Sequence, residues 1–346
     1  MKRLVVIFGV LALALAIVVS GCAQPAAVGP QKFIWNHSTF ETMYTAPWTK
    51  FYQSKITELS GGKMTFEMYW AESLGFKAAT YLKVSRDGLA PFSDGFAEFM
   101  ASDVPELTIL SLPMLAPFAE DADKVRAKVE HLAAKVLGEK WNSVLLANYP
   151  GTPQAIWTSK PVKTWKDFAG MKVRILTAPE SEFIKAIGAI PVTVPWPEVY
   201  TALQRKTIDA VVTTDDGVWT QKLYEVVKYR PVAGERGMWW FNFASKNSWD
   251  GLPQEFQKAV NDAKPLVEDF VIKDHKNLAV TDVGKAASLP PNYVSLKQVG
   301  VDFTLLPSSE IAQMTEMAKP IWEKWAKDNG PIAEEALKLA RQAVGK

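Results

Sequence analysis

Two kinds of hydrophobic spacing alternate along this chain from Phe33 to about residue 212, and a chain that alternates them must bury helices against sheets. Phe33-Ile34-Trp35 opens as a strand and runs into the polar turn Asn36-His37-Ser38-Thr39. Trp48, Phe51, Tyr52, Ile56 and Leu59 recur at helical spacing until Gly61-Gly62 stops the helix. Met64, Phe66 and Met68 alternate with Thr65 and Glu67, as in a half-buried strand. Leu107–Leu112 is a short apolar run ended by Pro113, and Val125, Val129, Leu132 and Val136 form another helical stripe. From about residue 151 the logic repeats. A strand is expected over 171–175, a helix over 181–187, a strand over 191–194, a helix over 197–205 and a strand over 208–212. Residues 253–278 read as a long helix with a kink at Pro265, 286–293 as a turn-rich stretch, and 309–344 as helical. The prediction is an α/β fold of two similar units with mixed or parallel sheets, and 346 residues suit two domains.

The N-terminus is a different kind of segment. Lys2-Arg3 precedes the apolar Leu4–Val19 and then Ser20-Gly21-Cys22, the layout of an export signal over residues 1–21. The apolar run is shorter than the roughly 18 residues of a spanning helix. Val19-Ser20-Gly21-Cys22 resembles the lipobox of bacterial lipoproteins, in which the cysteine carries the lipid. Cys22 is the only cysteine, so no intrachain disulfide can form, and it reads as a membrane anchor. Residues 22–31, rich in Ala, Pro and Gly, read as a tether. The expected location is the periplasm or the outer face of the cytoplasmic membrane. Lys and Arg number 39 against 37 Asp and Glu, and the two surplus cations are Lys2 and Arg3. The chain after residue 21 is therefore balanced, and no nucleic-acid partner is expected.

Enzymatic signatures are missing. The sequence has no P-loop, dinucleotide fingerprint, zinc helix or nucleophile elbow. His37, His131 and His275 are scattered, so no metal site or cofactor is expected. Glu120-Asp121-x-Asp123 suits a helix start, and Asp215-Asp216 is the other carboxylate cluster. A hydrolase or lyase using Asp215, Asp216 and Arg174 is a rival reading, but nothing in the pattern asks for catalysis.

The most informative segment is 151–229. It reads Gly151-Thr-Pro-Gln-Ala, then Trp165-Lys-Asp-Phe-Ala-Gly-Met-Lys-Val-Arg174 and Gly188-Ala-Ile-Pro191. Trp196-Pro-Glu-Val-Tyr200, Ala202-Leu-Gln204, Ile208-Asp209 and Leu223-Tyr-Glu-Val-Val-Lys-Tyr229 follow. In order and spacing this series resembles the solute-binding proteins of TRAP (tripartite ATP-independent periplasmic) transporters, of DctP type. Ser60-Gly-Gly-Lys63, Leu74-Gly75 and Trp249-x-x-Leu-Pro253 extend the resemblance. It implies a two-domain periplasmic-binding-protein-like fold (type II-like), with a long helix spanning both domains and a ligand cleft between them. Domain I would take 32–150 plus about 239–278, and domain II 151–238 plus about 279–346. The protein would be a monomer that binds a small organic carboxylate and delivers it to small and large membrane subunits.

The resemblance makes Arg174 the carboxylate partner, a role that suits the planar fork of a guanidinium. Trp196, held between Pro195 and Pro197, is expected to face the ligand. Thr213 takes a position where the family often has a ligand-contacting asparagine. In the Trp239-Trp240-Phe241 strand, alternation lets only one face line the cleft, and Trp239 is the candidate. Asp216 is another candidate, with capping of a helix at Gly217 as its alternative role. Ser38, Thr39 and Phe40 after the first strand, and the loop near Phe92-Ser-Asp94, are the candidates from the other domain. Pro153 stands where many acid-sugar and dicarboxylate binders of the family have a second arginine. A monocarboxylate with an apolar or aromatic body is therefore expected. Trp196 with Trp239 is also similar to aromatic boxes for zwitterions such as ectoine. An ABC-importer binding protein and an extracytoplasmic sensor remain as alternatives.

Overall fold

The computed structural model describes residues 29–151, 154–233, 236–278 and 296–346. The signal at 1–21, Cys22, the tether up to residue 28, Pro153 and the stretch 286–293 lie outside the described residues. The first half of the chain forms β1 (Gln31–His37), α1 (Thr45–Leu59), β2 (Met64–Tyr69), α2 (Tyr81–Arg86), β3 (Phe92–Phe96), α3 (Ala119–Trp141) and β4 (Ser143–Pro150). The second half forms β5 (Gln154–Thr158), β6 (Lys172–Arg174), α4 (Ala178–Ala186), β7 (Ile190–Val192), α5 (Val199–Gln204), β8 (Ala210–Thr214), α6 (Asp215–Thr220) and β9 (Tyr229–Val232). The chain then makes β10 (Trp239–Ser245), α7 (Lys246–Asp250), α8 (Gln254–Leu278), β11 (Asp302–Leu305), α9 (Ser308–Asn329) and α10 (Pro331–Val344).

These strands make two mixed sheets, so the α/β reading holds. The first has the order β2-β1-β3-β10-β4 and the second β11-β9-β5-β8-β6-β7. In the first, β1 runs parallel to β2 and β3, and β10 enters antiparallel between β3 and β4. In the second, β6 runs parallel to β7 and β8, while β5 is antiparallel to β8 and β9. The run Leu107–Leu112 is not extended. It folds into two 3₁₀ turns, Pro105–Leu107 and Ile109–Ser111, whose apolar side chains are buried. Pro113 and the crowding of the core favour such a compact turn over a strand.

The central strands β8 and β10 are buried on both faces, which explains their near-continuous apolar runs. Along β10, Trp240 and Ala244 join a core with α1 and α8, and Trp239, Phe241 and Phe243 join the opposite one. Along β8, Val211 faces α5 and α6 whereas Ala210 and Val212 face α4 and α9. The long helix that touches both halves is α9. Near its start, Glu310 Oε2 accepts from Trp165 N–H at 2.9 Å. Three turns later Trp322 Nε1–H donates to the Pro113 carbonyl at 2.7 Å and Trp325 Nε1–H to Thr108 Oγ1 at 3.1 Å. The other long helix, α8, runs through Pro265 and packs on α1, α3 and β4. The last helix, α10, packs on α3 and α9.

The first core is aromatic. Phe92 stacks on Trp35 with ring centroids 5.4 Å apart and 11° between planes, and meets Phe33 and Phe66 edge-on. Truncating it opens a void that rigid strands cannot close. Phe92→Ala is expected to lower the unfolding free energy by about 3–5 kcal/mol, measured by urea denaturation.

Candidate functional site

The carboxyl ends of β1 and β6 open onto a common cavity of about 220 Å³ between the two sheets. This is where open α/β sheets place ligands, because strand ends supply loops and helix starts without exposing the ladder. From the first half it is lined by Ser38, Thr39 and Phe40 after β1 and by Phe96 and Phe99 at and after the end of β3. From the second half come Arg174, Leu176, Trp196, Thr213 and Thr214. Gln154 and Met238 lie where the chain passes between the halves. Phe40 and Leu176 are exposed, one on each half.

Arg174 ends β6, a short strand held between β7 and β8, so its backbone is fixed from both sides. Its side chain is 5% exposed. Nε–H donates to the Val194 carbonyl at 3.2 Å, and the guanidinium lies 5.4 Å from the centre of the Trp196 ring. Burial pulls its pKa below the ordinary arginine value, Glu180 opposes that shift, and Arg236 adds to it. Arginine nevertheless stays charged at neutral pH. Arg174 forms no ion pair within 4.0 Å among the described residues.

Trp196 opens a 3₁₀ turn over Trp196–Glu198, held at the corner its proline neighbours define. The wall beside it is tight: a Cβ on Gly217 would sit 2.6 Å from Thr213 Oγ1 and 3.3 Å from Trp196 Cη2. A larger residue there would force the Thr213 hydroxyl to move and press on the edge of the ring. Helix α6 is capped by Thr214, whose hydroxyl accepts from Gly217 N–H at 3.0 Å. The capping role considered for Asp216 therefore belongs to Thr214, and Asp216 lies buried in the first turn. Asp215 pairs with Arg230, Nε to Oδ1 at 2.9 Å, and Arg230 lies over Trp157. Asp215 thus pairs with a structural arginine rather than with Arg174.

Across the cavity, Thr39 ends a buried chain of hydrogen bonds. Asp94 accepts from Trp35 Nε1–H at 2.8 Å and from Thr49 Oγ1–H at 2.9 Å, and meets His37 Nδ1 at 2.8–2.9 Å. His37 Nε2 lies 2.9 Å from Thr39 Oγ1, which also contacts Thr45 Oγ1 at 2.6 Å. Ser38 Oγ is buried at the cavity wall with no hydrogen-bond partner among the described residues.

The structure therefore brings together Ser38, Thr39, Phe40, Arg174, Trp196 and Thr213. Phe92, Asp94, Asp216 and Trp239 are not in the cavity lining. Phe92 and Asp94 lie on β3 itself, and Trp239 is buried with its Nε1–H donating to Asn148 Oδ1 at 3.0 Å. Sequence reasoning missed Gln154, Met238, Phe96 and Phe99. Gln154 was within reach, one residue beyond Pro153, whereas the others carry no signal separable from core packing. Among the described residues no cluster of three or more His, Cys, Asp or Glu could hold a metal, and no helix is long and apolar enough to cross a membrane.

A cavity with one buried cation, flanked by hydroxyls and aromatic rings and closed by two sheets, is that of a two-lobed solute-binding protein. The chain belongs to the DctP family, "Bacterial extracellular solute-binding protein, family 7", whose model matches residues 36–328. This is a family of extracytoplasmic transport proteins that bind small ligands and work with membrane subunits. The chain is 25% identical to the ectoine/5-hydroxyectoine-binding periplasmic protein UehA of Ruegeria pomeroyi, over 93% of this chain and 94% of that protein. In fold it resembles DctP7, a Bordetella pertussis extracytoplasmic solute receptor binding pyroglutamic acid. The TM-score is 0.77 at 22% identity, covering 90% of this chain and 99% of that one. It also resembles a marine metagenome TRAP solute-binding protein specific for aromatic acids, in complex with 3-hydroxybenzoate. There the TM-score is 0.77 at 20% identity, covering 92% and 98%.

One group at the crossing between halves titrates near neutrality. Glu98 follows β3, and its Oε2 accepts from Trp239 N–H at 3.3 Å where β10 begins. Burial pushes its carboxyl up to about 7, against the pull of Arg236 and the Trp239 N–H. The folded protein thus holds this proton more tightly than the unfolded chain, where 4.5 is ordinary. Its contribution to stability is fully present below pH 4.5 and is lost as pH rises through about 7. Urea midpoints at pH 5 and pH 8 are expected to differ less in Glu98→Gln than in the wild type.

Proposed function

We propose that this chain captures a small organic monocarboxylate with an apolar or aromatic body and hands it to the membrane subunits of a TRAP transporter. The observation that carries the reading is Arg174, a buried guanidinium on the cavity wall with no carboxylate partner among the described residues. A buried charge without a counter-charge is costly, and a ligand carboxylate relieves that cost with two charge-assisted hydrogen bonds. The hydroxyls of Ser38 and Thr39 would meet the ligand from the other half, and Phe96, Phe99 and Trp196 would cover its apolar body. Glu180, the acid nearest Arg174 in charge terms, is engaged by Arg236 with Nε to Oε1 at 2.6 Å.

A second reading, a zwitterion of ectoine type, draws on the likeness to UehA. An aromatic box needs an open ring face for the cation. Trp196 already has Arg174 over its ring, and Trp239 is buried elsewhere, so the monocarboxylate is favoured. The domains, 32–150 with 239–278 and 151–238 with 279–346, would close on the ligand by hinge motion. Lipidated Cys22 would hold the protein at the membrane as a monomer. The chain would transport without catalysis, with neither cofactor nor nucleic-acid partner.

A thermal-shift screen over organic acids, dicarboxylates and ectoine tests the ligand class. Stabilisation by monocarboxylates is expected, and large shifts from dicarboxylates or ectoine alone would sink the assignment. For an acid found this way, Arg174→Ala is expected to weaken binding at least about 100-fold by calorimetry. Arg174→Lys should recover only part, since an ammonium cannot match both oxygens. Wild-type affinity in Arg174→Ala would remove the central premise.

A further inference from the structure

Gln154 stands between the ligand cavity and a smaller cavity of about 40 Å³ behind it, and its side chain lines both. Arg236 Nη2–H donates to Gln154 Oε1. A guanidinium has donors and no acceptor, so the amide oxygen must face Arg236 and the NH₂ group must face away. Nothing about this arrangement is loose. Gln154 N–H donates to the Arg236 carbonyl at 2.9 Å and Arg236 N–H to the Gln154 carbonyl at 3.2 Å. Arg236 Nε is held by Glu180 Oε1 at 2.6 Å. Glu180 Oε2 in turn accepts from Leu176 N–H at 2.6 Å and Thr177 N–H at 3.0 Å, at the start of α4. All three side chains are buried.

The NH₂ group has two hydrogens. Nε2 lies 2.8 Å from Met238 Sδ, a weak acceptor, and has no other acceptor among the described residues. One hydrogen thus meets only a weak sulfur acceptor and the other has no oxygen acceptor among the described residues, on a wall that also carries Arg174.

We infer that Gln154 is a specificity-determining donor, locked by Arg236 and Glu180 to bind a second oxygen acceptor on the ligand. This rests on the proposed reading of the cavity as a carboxylate site and narrows it. The ligand class becomes carboxylates that carry a further carbonyl or hydroxyl oxygen beside the anionic group. Arg236 and Glu180 act as positioning residues through Gln154. An acid with only an apolar body would leave the amide unsatisfied and bind more weakly.

Two matched pairs of acids test this by calorimetry: pyroglutamate against cyclopentanecarboxylate, and 3-hydroxybenzoate against benzoate. The wild type is expected to prefer the acceptor-bearing member of at least one pair by about tenfold. Gln154→Leu should abolish that preference, through a loss of about tenfold for the acceptor-bearing member that exceeds any loss for the plain acid. Arg236→Met, which frees the amide to turn over, should also erase the preference, and Arg236→Lys should restore it. Undiminished preference in Gln154→Leu, or an equal loss for both members of a pair, would overturn the inference. If that happens while binding still depends on Arg174, the carboxylate reading survives alone. If none of the four acids binds the wild type, both fall together.

Discussion

Where the chain enters β10, the Trp239 N–H reaches a buried carboxyl on Glu98, and the strand then slots between β3 and β4 with all seven residues buried. That insertion governs much of what surrounds it. It returns the chain from the second sheet to the first, and backbone pairs Gly151 with Met238 and Gln154 with Arg236 at the passage between them. Its side chains alternate between two cores, Trp240 into one and Trp239, Phe241 and Phe243 into the other. The close approach this demands is visible at Gly151, which donates its N–H to the Met238 carbonyl at 2.6 Å. A Cβ on Gly151 would lie 2.5 Å from Phe96 Cε1. The crossing therefore fixes Met238, Phe96 and Gln154 together, and all three are part of the cavity wall.

A second constraint is the burial of charge around the cavity. Three arginines of the second half, 174, 230 and 236, are each at most 5% exposed. Arg230 is matched by Asp215 and Arg236 by Glu180. Arg174 has a backbone carbonyl and an aromatic ring instead, contacts that orient it without neutralising it. Evolved interiors tolerate such a group where a ligand completes it. Within one unit, then, two buried arginines are matched by carboxylates and the third, on the cavity wall, is matched by none among the described residues.

Much of the fold could be read from spacing. Helices α1 and α3 and strand β2 followed from periodicity, since each has one buried and one wet face. Strands β3, β4 and β5 did not, because strands covered on both faces lose alternation. The same limit governs the site. Ser38, Thr39, Arg174, Trp196 and Thr213 were named as candidates through the family resemblance, and all five line the cavity. Phe92 and Asp94 fall earlier on β3, and there the side chains point into the core. Trp239 was a choice between two faces that alternation alone could not assign. The pairing of Gln154 with Arg236 spans 82 residues and joins no recognisable motif, so only the fold reveals it. His37 likewise looked isolated until β1 and β3 paired and set Asp94 beside it.

The position of these groups also bears on closure. A ligand shifts an open–closed equilibrium only by the difference in its binding to the two states. Contact with Arg174 alone would be made equally in both states, since β6, β7 and β8 hold that residue within one half. Differential contacts would come from the opposite wall, where the Ser38 hydroxyl has no partner among the described residues and Thr39 is steadied by His37 and Asp94. Under the proposed function, Arg174 would set whether an anion binds, and the β1 loop would set whether binding drives the halves together. The two contributions would be separable because the chain draws them from different sheets, which the crossing at β10 and the helix α9 both connect.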